Sequence, residues 1–336
     1  MSVQTPKLLL TTSPFLKQQE DTAWIMWQVN YALIPVVLAA VFYFGLHALL
    51  VTAACVAGAI LPEWLIQRTT GKKLLKDGTA VITGVLLALT LPPSIPLWMA
   101  FTGGFTAITL GKMLFGGIGY SLFNPALVGR AFLQAAFPVA MTTWVPNGTL
   151  REFLSVSGST FAWPFMKPSV DVITEATPLA QMKFEAQQTG LMDLLLGSTS
   201  GSLGETGALI ILLCGVYLAS RQVLNWRIPV SIFLTVFAFG GILHLANPSA
   251  YASPLFHLFS GGLILGAVFM ATDPVTSPNS QRGCWIFGFG IGVLVIVIRV
   301  FGGLPEGVMF AILLMNAASP LINRVTQPRI FGTGRR

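Results

Sequence analysis

Polar side chains that could do chemistry are few in this chain, and several sit where long apolar runs begin or end. Glu205 precedes one such run and Asp273 follows another. Acids inside a bilayer are costly to bury and often mark ion paths, whereas acids at its boundary are cheaper and can be ordinary surface groups. Asn124 lies among glycines and a proline, where its amide could donate to a ligand or a carbonyl. These three residues are candidate binding groups.

A second set of candidates lies in one long hydrophilic segment, residues 142–204. The sequence GSLGET at 201–206 closes this segment directly before an apolar run. Ser202 or Thr206 could cap the next helix, and the backbone N–H groups of such a turn could also bind phosphate oxygens. The sequence leaves both interpretations open. A hydrophilic loop of this length on a compact protein is usually functional or disordered.

The composition excludes an ordinary soluble protein. Of the 336 residues, 54% are hydrophobic and 9% are charged, against roughly 25% charged residues in soluble domains. The apolar residues form long unbroken runs and do not alternate, which indicates a helical membrane protein and not a barrel. The net charge is +7, but the basic residues sit in short loops, so we interpret them as topology signals and expect no nucleic acid partner.

Several kinds of site have no support in the sequence. The three cysteines form no CxxC motif, so we expect neither an iron–sulfur cluster nor a structural zinc nor any other metal site in this chain. A Walker loop, a GxGxxG after a strand and an HExxH are also missing. Their absence argues against nucleotide hydrolysis, NAD binding and zinc proteolysis by this chain.

About ten apolar runs approach the roughly 20 residues that cross a bilayer. The runs lie near 29–49, 51–66, 78–93, 97–114, 122–141, 205–220, 228–246, 254–271, 284–301 and 304–322. If the N-terminus is cytoplasmic, 14 Lys and Arg residues fall inside and three fall outside. Because basic residues concentrate in cytoplasmic loops, we expect both termini in the cytoplasm and the 142–204 loop outside.

Two stretches of the chain match each other. TGVLLALTLPPSIP at 83–96 and LGAVFMATDPVTSP at 265–278 share a glycine, a threonine and two prolines, and FGG follows each. Five spans in each half would put the halves in opposite orientations. We therefore expect an all-α integral membrane fold of two inverted five-helix repeats, 1–141 and 205–336, joined by the outside loop 142–204. Glycine- and proline-rich breaks predict interrupted helices that line a site near the midplane.

The outside loop carries the most specific motif, because residues 171–177 read DVITEAT and fit the pattern DxxTxAT. FGGIGYSLFNPALVGRAFL at 115–133, GSTSGSLGETGAL at 197–209 and FMATDPVTSP at 269–278 accompany it. Over essentially its whole length the chain resembles the family formed by the D subunits of Rnf (Rsx) ion-translocating electron-transport complexes and the B subunits of sodium-translocating NADH:quinone reductases. The resemblance implies FMN esterified through its phosphate to Thr177, with Asp171 shaping the loop or assisting the transferase step.

The resemblance also implies a role within a complex. The chain would be a flavoprotein subunit in a bacterial inner membrane, working with sister membrane subunits, an iron–sulfur subunit and a flavinyl transferase. The complex would couple electron transfer between ferredoxin and NAD to the movement of sodium ions or protons. A second, non-covalent flavin such as riboflavin could lie among the broken helices. Three alternatives stay open: the quinone-reductase paralogue, a secondary transporter without a redox cofactor, and a purely structural membrane subunit.

Overall fold

The computed structural model describes most of the chain and shows an all-α protein. It describes residues 21–71, 75–145, 160–164, 175–185, 187–197, 199–205, 207–248 and 251–328. These ranges contain helices, turns and irregular segments and no strand. The predicted candidates Asp171 and Thr206 lie outside the described residues.

The first half of the described chain, residues 21–145, contains six α-helices, a 3-10 turn at Leu75–Asp77 and a π-helical turn at Thr109–Met113 that extends the fourth helix. The helices are α1 (Thr22–Phe44), α2 (Leu46–Thr70), α3 (Thr79–Leu89), α4 (Leu97–Ile108), α5 (Pro125–Ala136) and α6 (Pro138–Thr142). Gly45 separates α1 from α2 with φ 72°, a left-handed value that glycine adopts without strain. The predicted division between the spans 29–49 and 51–66 is therefore wrong, since the break falls at residue 45 and α2 contains the whole of 51–66.

The segment between the halves contributes two short helices, and the second half, residues 207–328, contributes six. The two short helices are α7 (Pro178–Ala180), which continues into a π-helical turn at Gln181–Glu185, and α8 (Leu191–Leu196). The six are α9 (Ala208–Ser220), α10 (Arg227–Ala246), α11 (Pro254–Phe259), α12 (Leu263–Leu265), α13 (Gln281–Phe301) and α14 (Val308–Thr326). A π-helical turn at Gly266–Met270 extends α12.

Five helices in the described chain are long and apolar enough to cross a bilayer, namely α1, α2, α10, α13 and α14. The predicted spans at 78–93 and 205–220 correspond to the shorter apolar helices α3 and α9. The predicted span 254–271 is broken at Ser260–Gly262 into α11 and α12. Large apolar side chains such as Leu38, Phe42 and Leu245 point outward, which suits helices that face lipid. The chain is a multi-pass membrane protein with interrupted helices.

Helices in each half pack through glycines that let two backbones approach closely. A Cβ added to Gly104 of α4 would collide with the carbonyl oxygen of Cys55 in α2. In the second half, a Cβ added to Gly288 of α13 would lie 2.6 Å from the Cβ of Ser231 in α10. Small residues at helix crossings maximise van der Waals contact, which drives association where the surrounding lipid removes the hydrophobic effect. The pair α2–α4 in the first half thus has a counterpart in α10–α13.

Gly104→Ala tests this close packing. We expect it to lower the free energy of unfolding by about 1–3 kcal/mol, because the added methyl must push two backbones apart. The thermal midpoint of the detergent-solubilised protein measures the effect. Gly303→Ala is the control, since no atom lies within 4 Å of its added Cβ. Equal midpoints for the two variants would contradict the packing argument.

Candidate functional site

Thr177 lies at the start of α7 and is almost completely buried, with 7% of its surface exposed. Its extended backbone and the Pro178 that follows begin the helix, and its Oγ1 accepts a hydrogen bond from the N–H of Ala180 at 3.3 Å. Ser200 donates its hydroxyl to the carbonyl oxygen of Ala176 at 3.1 Å, which fixes the chain just before Thr177.

The Thr177 side chain borders a cavity between the two halves, which we call the Thr177 cavity. It encloses about 630 Å³ of space free of atoms, including its open mouth. Its walls come from α5, α6, the Thr177 segment, Glu205, the 304–306 connection and the first turn of α14. The lining residues are Arg130, Gln134, Met141, Thr142, Trp144, Thr177, Leu179, Glu205, Leu304, Pro305, Glu306, Met309 and Phe310.

One ion pair crosses this cavity from the first half to the second. Arg130 of α5 donates through Nη2 to Oε2 of Glu306, and Oε1 of Glu306 accepts from the N–H of Gly262 at 3.1 Å. Within the described part of the chain, Nε of Arg130 is buried and has no hydrogen-bond partner. The guanidinium thus uses one donor on Glu306, and its Nε–H is left unused.

Arg299 binds the break between α11 and α12 from the other side. Its Nη1 donates to the carbonyl oxygen of His257 and its Nη2 to that of Ser260, at 2.5 and 2.8 Å. These are carbonyls at the C-terminal end of α11, where a cation is favoured by the helix dipole. Gly261 has φ 74°, and a Cβ there would meet Leu179, Arg299 and Glu205. A glycine is therefore required where these three side chains converge.

The Thr177 segment is attached to both halves. The N–H of Glu175 donates to the carbonyl oxygen of Trp144 at 3.0 Å. Lys183 donates its ammonium to three carbonyl oxygens around the end of α13, those of Arg299, Gly302 and Leu304. Because these contacts remove water from the ammonium, the pKa of Lys183 lies below its usual value.

The GSLGET segment serves the fold in the described structure. The N–H groups of Leu203 and Gly204 donate to the carbonyl oxygens of Leu91 and Leu89 at 3.1 and 2.6 Å, which satisfies the C-terminal end of α3. Ser202 donates through its N–H and its hydroxyl to Oε2 of Glu205. These donors are occupied within the chain, and a ligand role for Ser202 stays a prediction.

Asn124 and Asp273 meet at a second cavity, at the opposite end of α5. Asn124 caps α5 by accepting from the N–H of Ala126 at 3.0 Å, and it donates to the carbonyl oxygen of Met270 at 3.1 Å. Asp273 accepts from the N–H of Val275 and the hydroxyl of Thr276, both at 3.2 Å. The cavity is mostly apolar and encloses about 870 Å³ of atom-free space.

Corresponding elements run between the two cavities in opposite directions. The first turns of α3 border the second cavity, whereas the stretch 263–270 reaches it at its end with Val268 and Phe269. Likewise α5 begins at the second cavity with Asn124, whereas α14 begins at the Thr177 cavity with Met309. Since the sequence repeat pairs α3 with 263–270 and α5 with α14, these directions agree with the predicted inversion.

The charged residues in and beside the Thr177 cavity could hardly be identified from the sequence. The sequence offers no choice between a lipid-facing and a cavity-facing role for Arg130 and Arg299, although both lie within apolar runs. Glu306 lies in the glycine- and proline-rich break FGGLPEG at 301–307, but its partner Arg130 is 176 residues away. Only the repeat could have pointed to it, because Glu306 precedes α14 much as Asn124 precedes α5.

A family model matches residues 9–332, nearly the whole chain, and its description is NQR2, RnfD, RnfE family. The chain belongs to this family. The match confirms the resemblance drawn from DxxTxAT and the accompanying motifs.

Similar proteins of this family cover almost the full length. The chain is 41% identical to the D subunit of the proton-translocating ferredoxin:NAD(+) oxidoreductase complex of Clostridium ljungdahlii, over 97% of this chain and 96% of the relative. It is 42% identical to the D subunit of the ion-translocating oxidoreductase complex of Stutzerimonas stutzeri, over 93% and 92%. It is 39% identical to the D subunit of the Na(+)-translocating ferredoxin:NAD(+) oxidoreductase complex of Acetobacterium woodii, over 97% and 95%.

Arg299→Met tests the attachment of Arg299 to the break after α11. We expect a loss of about 3 kcal/mol or more in the free energy of unfolding, because two charge-assisted hydrogen bonds disappear. Amide hydrogen exchange in residues 254–265 should accelerate. Arg221→Met is the control, since Arg221 is exposed at the end of α9. If both variants unfold at the same temperature and exchange alike, Arg299 does not hold this break.

Proposed function

We propose that this chain is the D subunit of an ion-translocating oxidoreductase complex that couples electron transfer between ferredoxin and NAD to the movement of sodium ions or protons. Near full-length similarity to proteins with such names supports the proposal. The family match over residues 9–332 supports it as well. In this proposal the chain is one component of a translocase and acts only within its complex.

We further propose that Thr177 carries FMN through a phosphodiester bond. The single observation that carries this proposal is that the Thr177 hydroxyl, at the end of the DxxTxAT motif, borders a cavity with a cation in its wall. The described residues fit such a group, because Arg130 lines the same cavity and its buried Nε lacks a partner. Bound there, FMN would supply the electron-carrying chemistry of the chain.

The residues of the chain would hold and shield the cofactor. Pro178 fixes the backbone directly after the attachment point, and the buried Leu179 belongs to an apolar cluster with Leu194, Ala252 and Phe256. Lys183 and the Glu175 N–H fasten the segment at its two ends. Met141, Trp144, Met309 and Phe310 give the cavity apolar walls that suit a flat aromatic ring and limit access of water.

The second cavity suits a non-covalent flavin such as riboflavin. Apolar walls with a few polar groups are typical of cofactor pockets, and Asn124 and Asp273 supply polar groups here. Its position at the opposite end of α5 would let two flavins stand in series across the bundle.

In this proposal the complex lies in a bacterial inner membrane, with both termini cytoplasmic and the Thr177 loop periplasmic. Sister membrane subunits, an iron–sulfur subunit and a flavinyl transferase would be its partners. The charge asymmetry of the loops supports the orientation.

Thr177→Ala tests the covalent attachment. Coexpressed with a flavinyl transferase, the wild-type chain should fluoresce as a flavoprotein after denaturing electrophoresis, and Thr177→Ala should not fluoresce, because the ester oxygen is missing. Mass spectrometry of the loop peptide should find an FMN-sized adduct on Thr177.

Thr142→Ala is the matched control, because Thr142 lines the same cavity but lies outside the motif. It should fluoresce like the wild-type chain, and so should Thr177→Ser to a lesser degree. A bare wild-type peptide, or fluorescence that survives in Thr177→Ala, would refute the attachment.

Asn124→Ala tests the second cavity. We expect less acid-extractable flavin per mole of purified complex, because the amide that faces the cavity is lost, while the fluorescent band at Thr177 stays unchanged. Chromatography of the extract measures the flavin. Asn247→Ala, in the connection after α10 and away from this cavity, serves as the control. Unchanged extractable flavin in Asn124→Ala would contradict the assignment.

A further inference from the structure

The described wall of the Thr177 cavity carries one positively charged and two acidic side chains. Among the described residues that line it, Arg130 is the single cation, and Glu205 and Glu306 are the acids. Each acid already has donors of its own. Glu205 accepts from Ser202, and Glu306 accepts from Arg130 and from the N–H of Gly262.

The neighbouring cations are committed elsewhere. Arg299 gives both Nη atoms to the carbonyl oxygens of His257 and Ser260. Lys183 gives its ammonium to carbonyl oxygens around the end of α13. Neither residue belongs to the walls of the Thr177 cavity.

Arg130 is the cation of the cavity wall that keeps an unused donor; Nε of Arg299 also lacks a partner among the described residues, but Arg299 does not line the cavity. The Nη2 of Arg130 holds Glu306, while its buried Nε has no partner in the described part of the chain. A buried donor without an acceptor costs about 1–3 kcal/mol. The planar guanidinium has five N–H donors and can bind a second anion beside Glu306, and its unused Nε–H suits a phosphate oxygen.

We propose that Arg130 binds the phosphodiester of the group attached to Thr177, while Glu306 holds the guanidinium in place from the other half. This inference rests on the proposed attachment and assigns a cofactor-binding residue to it. Arg130 is the binding residue, and Glu306 is a positioning residue that acts through Arg130.

If this proposal holds, Arg130→Gln and Glu306→Gln shift the midpoint potential of the flavin in opposite directions. Arg130→Gln removes a positive charge near the flavin, so the added electron is less stabilised and the potential becomes more negative. Glu306→Gln removes a negative charge and leaves Arg130 less neutralised, so the potential becomes more positive.

The experiment uses the complete complex purified from cells that coexpress a flavinyl transferase. The labelled fraction is read from in-gel flavin fluorescence per amount of protein. The midpoint potential of the covalent flavin is read from a spectroelectrochemical titration, as the difference from the Thr177→Ala complex. The variants are Arg130→Gln, Arg130→Lys and Glu306→Gln.

Lys112→Gln is the matched control. Lys112 is also a buried cation in an ion pair, with Nζ 2.5 Å from Oε1 of Glu63, but it borders the second cavity at the other end of α5. We expect it to leave the labelled fraction at Thr177 and the potential of that flavin unchanged. A change of either quantity as large as in Arg130→Gln would overturn the proposal.

We expect the labelled fraction of Arg130→Gln, read before labelling of the wild-type complex is complete, to be roughly tenfold lower, the loss that one charge-assisted hydrogen bond implies. Arg130→Lys keeps the charge without the planar edge, so its labelled fraction should lie between those of Arg130→Gln and the wild-type complex. If the potentials of Arg130→Gln and Glu306→Gln stay unchanged or shift the same way, the proposal is wrong. If Arg130→Gln does not assemble, Arg130→Lys decides, since it keeps the charge without the planar edge: a labelled fraction below that of the wild-type complex supports the proposal, and a wild-type fraction overturns it.

A missing attachment and a missing role of Arg130 give different results. A wild-type complex without fluorescence at Thr177 refutes the attachment itself. A fluorescent wild-type complex whose Arg130 and Glu306 variants behave as the wild type refutes only the role of Arg130.

Discussion

A helix that ends inside a bilayer exposes backbone groups that neither water nor lipid can satisfy, and the centre of this protein is organised around that constraint. The stretch Leu263–Met270 is buried along its whole length. Glu306 accepts from Gly262 at its N-terminal end, and Asn124 donates to Met270 at its C-terminal end. An acceptor at the positive end and a donor at the negative end are what the helix dipole favours.

The same constraint explains where the buried charges lie. Arg299 donates to the last carbonyl oxygens of α11, and Glu306 accepts from an N–H at the start of the next helical stretch. Each charged side chain thus replaces a missing backbone partner. Arg130 then balances Glu306. At the break between α11 and α12, charged side chains replace the missing backbone partners, and the pair Arg130 and Glu306 gives the Thr177 cavity its polar wall.

The sequence predicted the fold class and the broken helices well, because apolar runs and glycine–proline clusters are local signals. It placed Asn124 correctly at a helix break for the same reason. It could not foresee that the N–H groups of Leu203 and Gly204 are taken by the carbonyls of Leu91 and Leu89, since those contacts join distant segments. The pairing of Arg130 with Glu306 was equally out of reach, because no local pattern links residues from opposite halves.

The two attachments of the Thr177 segment have a mechanical meaning. The Glu175 N–H ties it to the first half through Trp144, and Lys183 ties it to the second half through the carbonyls around the end of α13. The segment is therefore a link between the two halves, and Thr177 lies between its two points of attachment. Any motion of one half relative to the other must move Thr177 or strain this link. A change in the spacing of the halves would therefore displace whatever group Thr177 carries.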